Sequence, residues 1–436
     1  MAIPLPRMDA RLQGRYETLV QQHMDVATTL AAGIHALPNV GSAFAAAQAA
    51  WRFFKNEAVT LPLLVEPLRD LGRLGAAQSS SAYALLVHDW SKLDYDGHTG
   101  KKDLVQLSNP LDRGYELTTA LLVDAAQGMP VAPMELSVRA AQGRFTTAHA
   151  AVQPYIGHLE QILPVMQASG SWSVGRRLVH VIDREGDSLF HLRAWHADGH
   201  LFLVRADDRR VHFRDSSSLL SEIVATLQAE NAFRKVREVE IRGQAGTLFV
   251  AEVEVVLDGA AWQYDENDKK YRVPGAALPL RFVVAQVRDA EGKVIAEWLL
   301  LTNVPGDVGA ELIATWYYWR WKIETFHKVM KSAGLQMEEW QQESAGAISK
   351  RILVACMACV VVWQLERQRT PAAQACKALL MKLSGRQTKR SRPVTTPALL
   401  AGLQTLLVML SVLEQYTPQE LWDLVKAAEL PICQSG

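Results

Sequence analysis

The chain has 436 residues, 49% hydrophobic and 21% charged, with Lys+Arg and Asp+Glu equal at 46 each. That length exceeds one ordinary domain, and the composition excludes disordered and fibrous classes. Balanced charge excludes a uniformly basic nucleic-acid coat, so any such affinity must come from local clusters. The opening MAIPLPRMDARLQGR has no apolar core segment, and the longest apolar run, Ile352 to Trp363, is shorter than the ~20 residues a bilayer needs. Cys356 and Cys359 form a C-x2-C inside that run with no second pair nearby, which fits a buried helix better than a zinc site. Scattered cysteines fit a reducing cytoplasm, and no membrane association is expected.

Residues 11–75 read as helices. Tyr16–Ala36 is amphipathic, a turn is expected around Pro38–Gly41, Ser42 can cap an Ala-rich helix through Asn56, and Pro62 suits the first turn of a third helix. Arg52 and Lys55 lie three apart and can share a face toward phosphate. From Ser81 the period shortens. Tyr83–Val87 is a short apolar strand ending in His88-Asp89, and Leu117–Val123 with Val131–Val138 reads as a hairpin turning over Gly128 and Pro130. A helix near Thr147–Met166 follows, then the strand Arg177–Ile182 running into Asp183-Arg184-Glu185-Gly186-Asp187. An acid after a strand is ordinarily a turn former or helix cap. Asp94 and Asp96 compete with Asp89 for any special role, and Asp89 is preferred because it directly ends the apolar strand.

Leu201–Arg205, Arg237–Arg242, Thr247–Val256 and Leu280–Arg288 read as mostly alternating strands, with an exposed loop at Asp265–Lys270. Arg205, Arg209, Arg210, Arg234, Lys235, Arg237 and Arg242 make this region locally basic, either as a DNA clamp or as a solvated strand face. Glu297–Thr302 is a further strand, in which Trp298 reads first as a core aromatic. The tail from Ser349 is helical, with a basic loop at Gly385–Pro393 and a helical pair from Pro397 to Glu429.

The stretch Thr315–Lys331 organises the rest. On a helix at about 100° per residue, Tyr317, Arg320, Glu324, Lys328 and Lys331 share one face, and Trp319, Ile323, Phe326, Val329 and Met330 share the other. A solvated face with i,i+4 pairs is the plain reading. A tyrosine and three cations around one carboxylate suit instead a phosphate held beside a metal-binding acid.

The spacing Tyr317-x2-Arg320-x3-Glu324-x6-Lys331 resembles the YREK signature of the IS-four family of bacterial insertion-sequence transposases, which are DDE enzymes. Asp183-Arg184-Glu185-Gly186-Asp187 resembles the segment around the family's second acid, and Ala45–Asn56 resembles part of its end-binding domain. Asp89 departs from the pattern, since Trp90 stands where the family has Thr or Ser.

The resemblance implies an α/β fold with an RNase H-like catalytic core at 76–200 and 297–365. It implies an inserted antiparallel β domain at 201–296, an N-terminal α-helical DNA-end-binding domain at 1–75, and a C-terminal helical domain at 366–436 suited to dimerisation. Asp89, Asp183 and Glu324 become the catalytic, metal-holding acids, for two Mg2+ per site when DNA is bound, with Mn2+ as a substitute. Tyr317, Arg320, Lys328, Lys331, Arg205, Arg52 and Lys55 become DNA contacts, and Trp298 the stacking partner of a flipped nucleotide. The implied partners are double-stranded element ends with terminal inverted repeats, target DNA, and a second copy of the chain. The implied setting is the bacterial cytoplasm, at the nucleoid. The implied reaction is cut-and-paste transposition through a hairpin. Two rivals are an RNase H-like nuclease or resolvase without strand transfer, and an inactive or domesticated end-binding relative.

Overall fold

The computed structural model describes residues 3–25, 43–241, 243–264, 269–333, 335–385 and 395–428. The expected stretch 26–42, Arg242, the loop residues 265–268 and the basic loop residues 386–394 lie outside the described residues, as does the end of the last helix from 429.

Three helices come first, α1 (Ala10–Asp25), α2 (Ala43–Lys55) and α3 (Leu61–Ala77), the last with Pro62 in its first turn as its φ permits. The chain then lays down β1 (Tyr83–Asp94), β2 (Val105–Gln106), β3 (Arg113–Asp124), β4 (Pro130–Ala140) and β5 (Gly143–Thr146). Next come α4 (His158–Ser169), β6 (Arg177–Ile182), α5 (Leu189–Ala197) and β7 (Leu201–Arg205). The middle of the chain gives β8 (Arg210–Phe213), β9 (Ser216–Leu219), α6 (Leu220–Ala229), β10 (Arg234–Ile241) and β11 (Gln244–Leu257). The hairpin β12 (Ala261–Tyr264) and β13 (Lys270–Val273) precedes β14 (Leu278–Arg288) and β15 (Val294–Thr302). Helices close the chain, namely α7 (Ala310–Trp319), α8 (Trp321–Lys328), α9 (Ala345–Arg367), α10 (Pro371–Leu383), α11 (Thr396–Leu413) and α12 (Pro418–Ala427).

One 13-stranded sheet runs β5-β4-β3-β1-β6-β7-β15-β14-β11-β8-β9, with β2 beside β3 and β10 beside β11. Among the described residues only the β1–β6 and β6–β7 pairs are parallel. Parallel strands need cover on both faces, and the alternation of apolar side chains supplies two cores. Leu203, Val283 and Leu300 join the larger core with α1, α3, α7 and α9, while Phe202, Val284 and Leu301 join a second core under α4, α5 and α6. Helix α9 is long and apolar enough to cross a membrane, but 83% of its apolar window is buried inside the protein, and it packs on α1, α3 and β4. Cys356 and Cys359 are fully buried within it.

The architecture is mixed α/β, and three boundaries differ from expectation. Strand β1 does not end at Val87 but continues to Asp94, because β3 keeps pairing with it from Asp89↔Thr119 to Asp94↔Gly114. Helix α4 starts at His158 rather than near Thr147, since Gln153 exchanges backbone hydrogen bonds with Arg144 (2.7 and 2.9 Å) and Pro154 follows. Strand β7, read as the start of an insertion at 201, pairs in parallel with β6, and β8 to β11, β14 and β15 extend that same sheet, while β12 and β13 form a separate two-stranded one.

Candidate active site

Sheet register positions the first two acids. The parallel β1–β6 pairing ends at Val87↔Val181, and Asp89 and Asp183 each stand two residues further on. With side chains alternating, both acids leave on the face of Val87 and Val181, toward the larger core. The β6–β7 pairing ends at Ile182↔Val204, so Asp183 and Arg205 follow as the next level. Asp183 ends its strand as expected and caps a short turn, its Oδ1 accepting from the Glu185 N–H at 2.9 Å. Trp90, the departure from the family pattern, takes the opposite face, where its ring stacks on His158 at 4.4 Å. Asp94 accepts from the Asp96 N–H at 3.0 Å, a turn-forming role. Asp187 is held by Arg209 (2.9 Å) and the Asp207 N–H (2.8 Å), which ties the following loops together.

The third acid comes from a helix that breaks. The expected single helix over 315–331 is interrupted at Arg320, where Arg320 N–H bonds to the Tyr317 carbonyl (3.0 Å) and Ile323 N–H to the Arg320 carbonyl (3.1 Å). These three-residue spacings overwind the chain, and a π turn over Val329–Ala333 then unwinds it. The uniform face of five residues is therefore split. Tyr317 is 2% exposed and its ring lies 6.1 Å from Trp298, itself 6% exposed, so Trp298 is a core aromatic here and not an open stacking platform. Lys331 is tied down by the Lys92 carbonyl (2.6 Å) and Glu338 (2.9 Å), while Lys328 stays exposed.

Arg320, 8% exposed, sits between the acids. Its Nη2 meets Glu324 Oε1 at 2.6 Å, its Nη1 lies 3.7 Å from Asp89 Oδ2, and its buried Nε has no partner among the described residues. Burial pushes the Asp89 carboxyl up to about 6 against the pull of Arg320, and both Asp183 and Glu324 push it the same way as burial does. Burial also raises Tyr317, opposed by Arg320 and Arg205. Burial disfavours the Arg320 charge, yet Tyr317 and the three acids together hold it above the usual guanidinium range.

One residue here was not singled out in the sequence. His327 Nδ1 stands 4.0 Å from Asp89 Oδ2 and its Nε2 3.3 Å from the Thr119 hydroxyl. Burial, then Lys331, lowers it to about 3, so it is a neutral neighbour rather than an ion-pair partner. Its position three residues after Glu324 was the signal that could have marked it.

Three carboxylates suit a hard divalent ion such as Mg2+ or Mn2+ in donor chemistry, and their mutual repulsion at Asp89 calls for a cation. Among the described residues no three His, Cys, Asp or Glu side chains stand close enough to hold one ion. Arg320 supplies the balancing charge instead.

Further basic groups divide into free and neutralised. A cleft of 430 Å³ between α1 and α2 is lined by Arg11, Arg15, Arg52, Thr18 and Asn56. Lys55, expected beside Arg52, pairs with Glu343 (3.2 Å) and lies over Trp51. In the basic strands, Arg234 pairs with Glu311 (2.9 Å) and Lys235 with Glu238 (2.7 Å), while Arg237 lies over the Tyr318 ring. Arg11 and Arg15 were missed in the sequence, although their i,i+4 spacing places them on one helix face.

No family model matches the chain, and no curated protein does. Among solved structures it is similar to a piggyBac transposase in a synaptic complex with hairpin DNA, at 9% identity and a TM-score of 0.34, over 96% of this chain and 76% of that one. At those values the two share too little for roles to pass from one to the other.

Proposed function

We propose that this chain is a transposase of the DDE type with an RNase H-like core, which cuts the ends of a DNA element and joins them to target DNA. The reading rests on one observation, Asp89 from β1 and Glu324 from α8 sharing a single buried guanidinium, with Asp183 past the end of β6 acting on it through its charge. It is supported by the order strand, hairpin, helix, strand carried in one sheet, with one acid from each chain segment just past the same end of the parallel β1–β6 pairing.

Asp89, Asp183 and Glu324 would hold Mg2+ or Mn2+, two ions when DNA is bound. Bound divalent ions supply a more acidic attacking water or 3′-hydroxyl and a stabilised departing oxygen. The chain's own share is position and charge. Arg320, with its free Nε, and the Tyr317 hydroxyl would grip a backbone phosphate, with exposed Lys328 beyond them. The Arg11–Arg15–Arg52 cleft would hold the end duplex at a second place, and two copies of the chain would hold two ends. Attack on a phosphodiester needs no protein nucleophile, so Ser and Cys residues have no role in it.

Incubating a labelled duplex, cut from the DNA flanking the reading frame, with supercoiled plasmid and Mg2+ tests this. Joined product is expected, passing through a hairpin intermediate. Burial pushes the metal-free Asp89 carboxyl up to about 6, and it must be ionised to hold a cation, so the yield should fall as pH drops below about 6. Cutting without joining would instead indicate a nuclease or resolvase. Binding of the ends with neither reaction would indicate an inactive relative.

A further inference from the structure

Asp89, Glu324 and Arg320 form one cluster, with Asp183 acting on it through its charge. The guanidinium bridges Asp89 at 3.7 Å and Glu324 at 2.6 Å, two of the acids that would hold a divalent ion under the proposed function. It is held in a buried pocket at the overwound junction of α7 and α8, where its backbone N–H is fixed to the Tyr317 carbonyl. One donor, Nε, is left without an acceptor in that pocket, a costly state that an incoming oxyanion would relieve. Among the described residues no three metal-ligating side chains are grouped closely enough to hold an ion in this arrangement.

Resting on the transposase reading, we propose that Arg320 is an internal stand-in cation that blocks the divalent-ion site until a DNA backbone phosphate draws it away. A guanidinium and a divalent ion cannot both occupy the gap between Asp89 and Glu324, since like charges at such separations repel strongly in a buried site. A phosphate can accept from Nε and one Nη together, the two-point geometry for which arginine is suited. Taking up that phosphate turns the guanidinium from the acids and frees them for the metal. Coupling between two ligands is reciprocal, so the metal must also tighten DNA binding. In this role Arg320 is a positioning residue whose effect reaches the acids through their charge.

The test is Mn2+ binding to the full chain, followed by the loss of the free-ion paramagnetic resonance signal. Without DNA the wild type should bind weakly, Arg320→Gln about tenfold or more tighter, and Arg320→Lys like the wild type. Lys322→Ala removes the same charge elsewhere on α8, away from the phosphate-gripping residues, and should change little. In the wild type, Mn2+ should raise duplex affinity measured by fluorescence anisotropy, and this gain should shrink in Arg320→Gln. Inorganic sulfate in place of DNA separates a free oxyanion from the polymer: if sulfate alone strengthens Mn2+ binding to the wild type, phosphate chemistry suffices, and if only duplex does, the polymer must deliver it. Equal Mn2+ affinity in wild type and Arg320→Gln, or an equal gain in Lys322→Ala, overturns the proposal. Thermal melts identify an unfolded variant, in which case the anisotropy of the wild type with and without Mn2+ decides alone. Failure of DNA joining with this coupling intact would count against the transposase reading and not against the gate.

Discussion

Asp183→Asn is expected to lower Mg2+-dependent cleavage of end DNA by at least about 10³-fold, the loss of roughly 4 kcal/mol of transition-state stabilisation. Asparagine keeps the shape and the acceptor oxygen that caps the turn at Glu185, so the fold should persist while the anionic donor is gone. The same change at Asp89 removes the acid on which Asp183 and Glu324 both act, and should cost as much. Asp94→Asn is the contrast. That acid lies outside the cluster and only shapes a turn, so its variant should cleave like the wild type. Gel assays of cleavage, run beside mobility shifts on the same duplex, separate chemistry from binding. An Asp183→Asn protein that cuts at wild-type rate would remove the site as described.

Gly128→Ala should destabilise the protein by about 2–5 kcal/mol, read from the urea unfolding midpoint. Two effects add. Gly128 has φ +67°, where a side chain costs about 1–2 kcal/mol. A Cβ there would also meet the Trp319 ring at 2.3 Å, an overlap worth about 1–3 kcal/mol once neighbours shift. Gly199 isolates the first effect, with φ +77° and nothing within 4 Å of an added Cβ, so Gly199→Ala should cost only about 1 kcal/mol. The consequence for function is local. Trp319 precedes Arg320, so a displaced ring disturbs the helix junction that aims the guanidinium, and cleavage should fall in Gly128→Ala even where it remains folded. Equal costs at the two glycines would mean that the β3–β4 turn does not brace α7.

The sequence made the elements of strongest period legible. Strand β6 begins and ends where Arg177–Ile182 predicts, and α3 follows its proline signal. What escaped was set by tertiary pairing. Strand β1 outruns its apolar part because β3 supplies partners for Trp90 to Asp94, and polar residues can sit on a ladder once it exists. Helices α5 and α6 were passed over between strands, although Leu220, Ile223, Val224 and Leu227 carry a helical period. At the site, residue types and spacings pointed to the acids, but an ideal helical wheel could not anticipate an overwound junction followed by a π turn. That local change buries Tyr317 and occupies Lys331, and it sends Arg320 between the carboxylates rather than out toward solvent. Ion pairs across distant segments, such as Lys55 with Glu343, carry no sequence signal at all.

The most direct measurement replaces Mg2+ with Fe2+ in the duplex-bound protein and lets locally generated radicals cut the polypeptide, with the fragments sized by mass spectrometry. If one ion pair is held by Asp89, Asp183 and Glu324, cuts should cluster near all three positions, be competed by Mg2+, and weaken together in Asp183→Asn. Cuts confined to one of these positions, or scattered without competition, would contradict a shared metal site and with it the proposed chemistry.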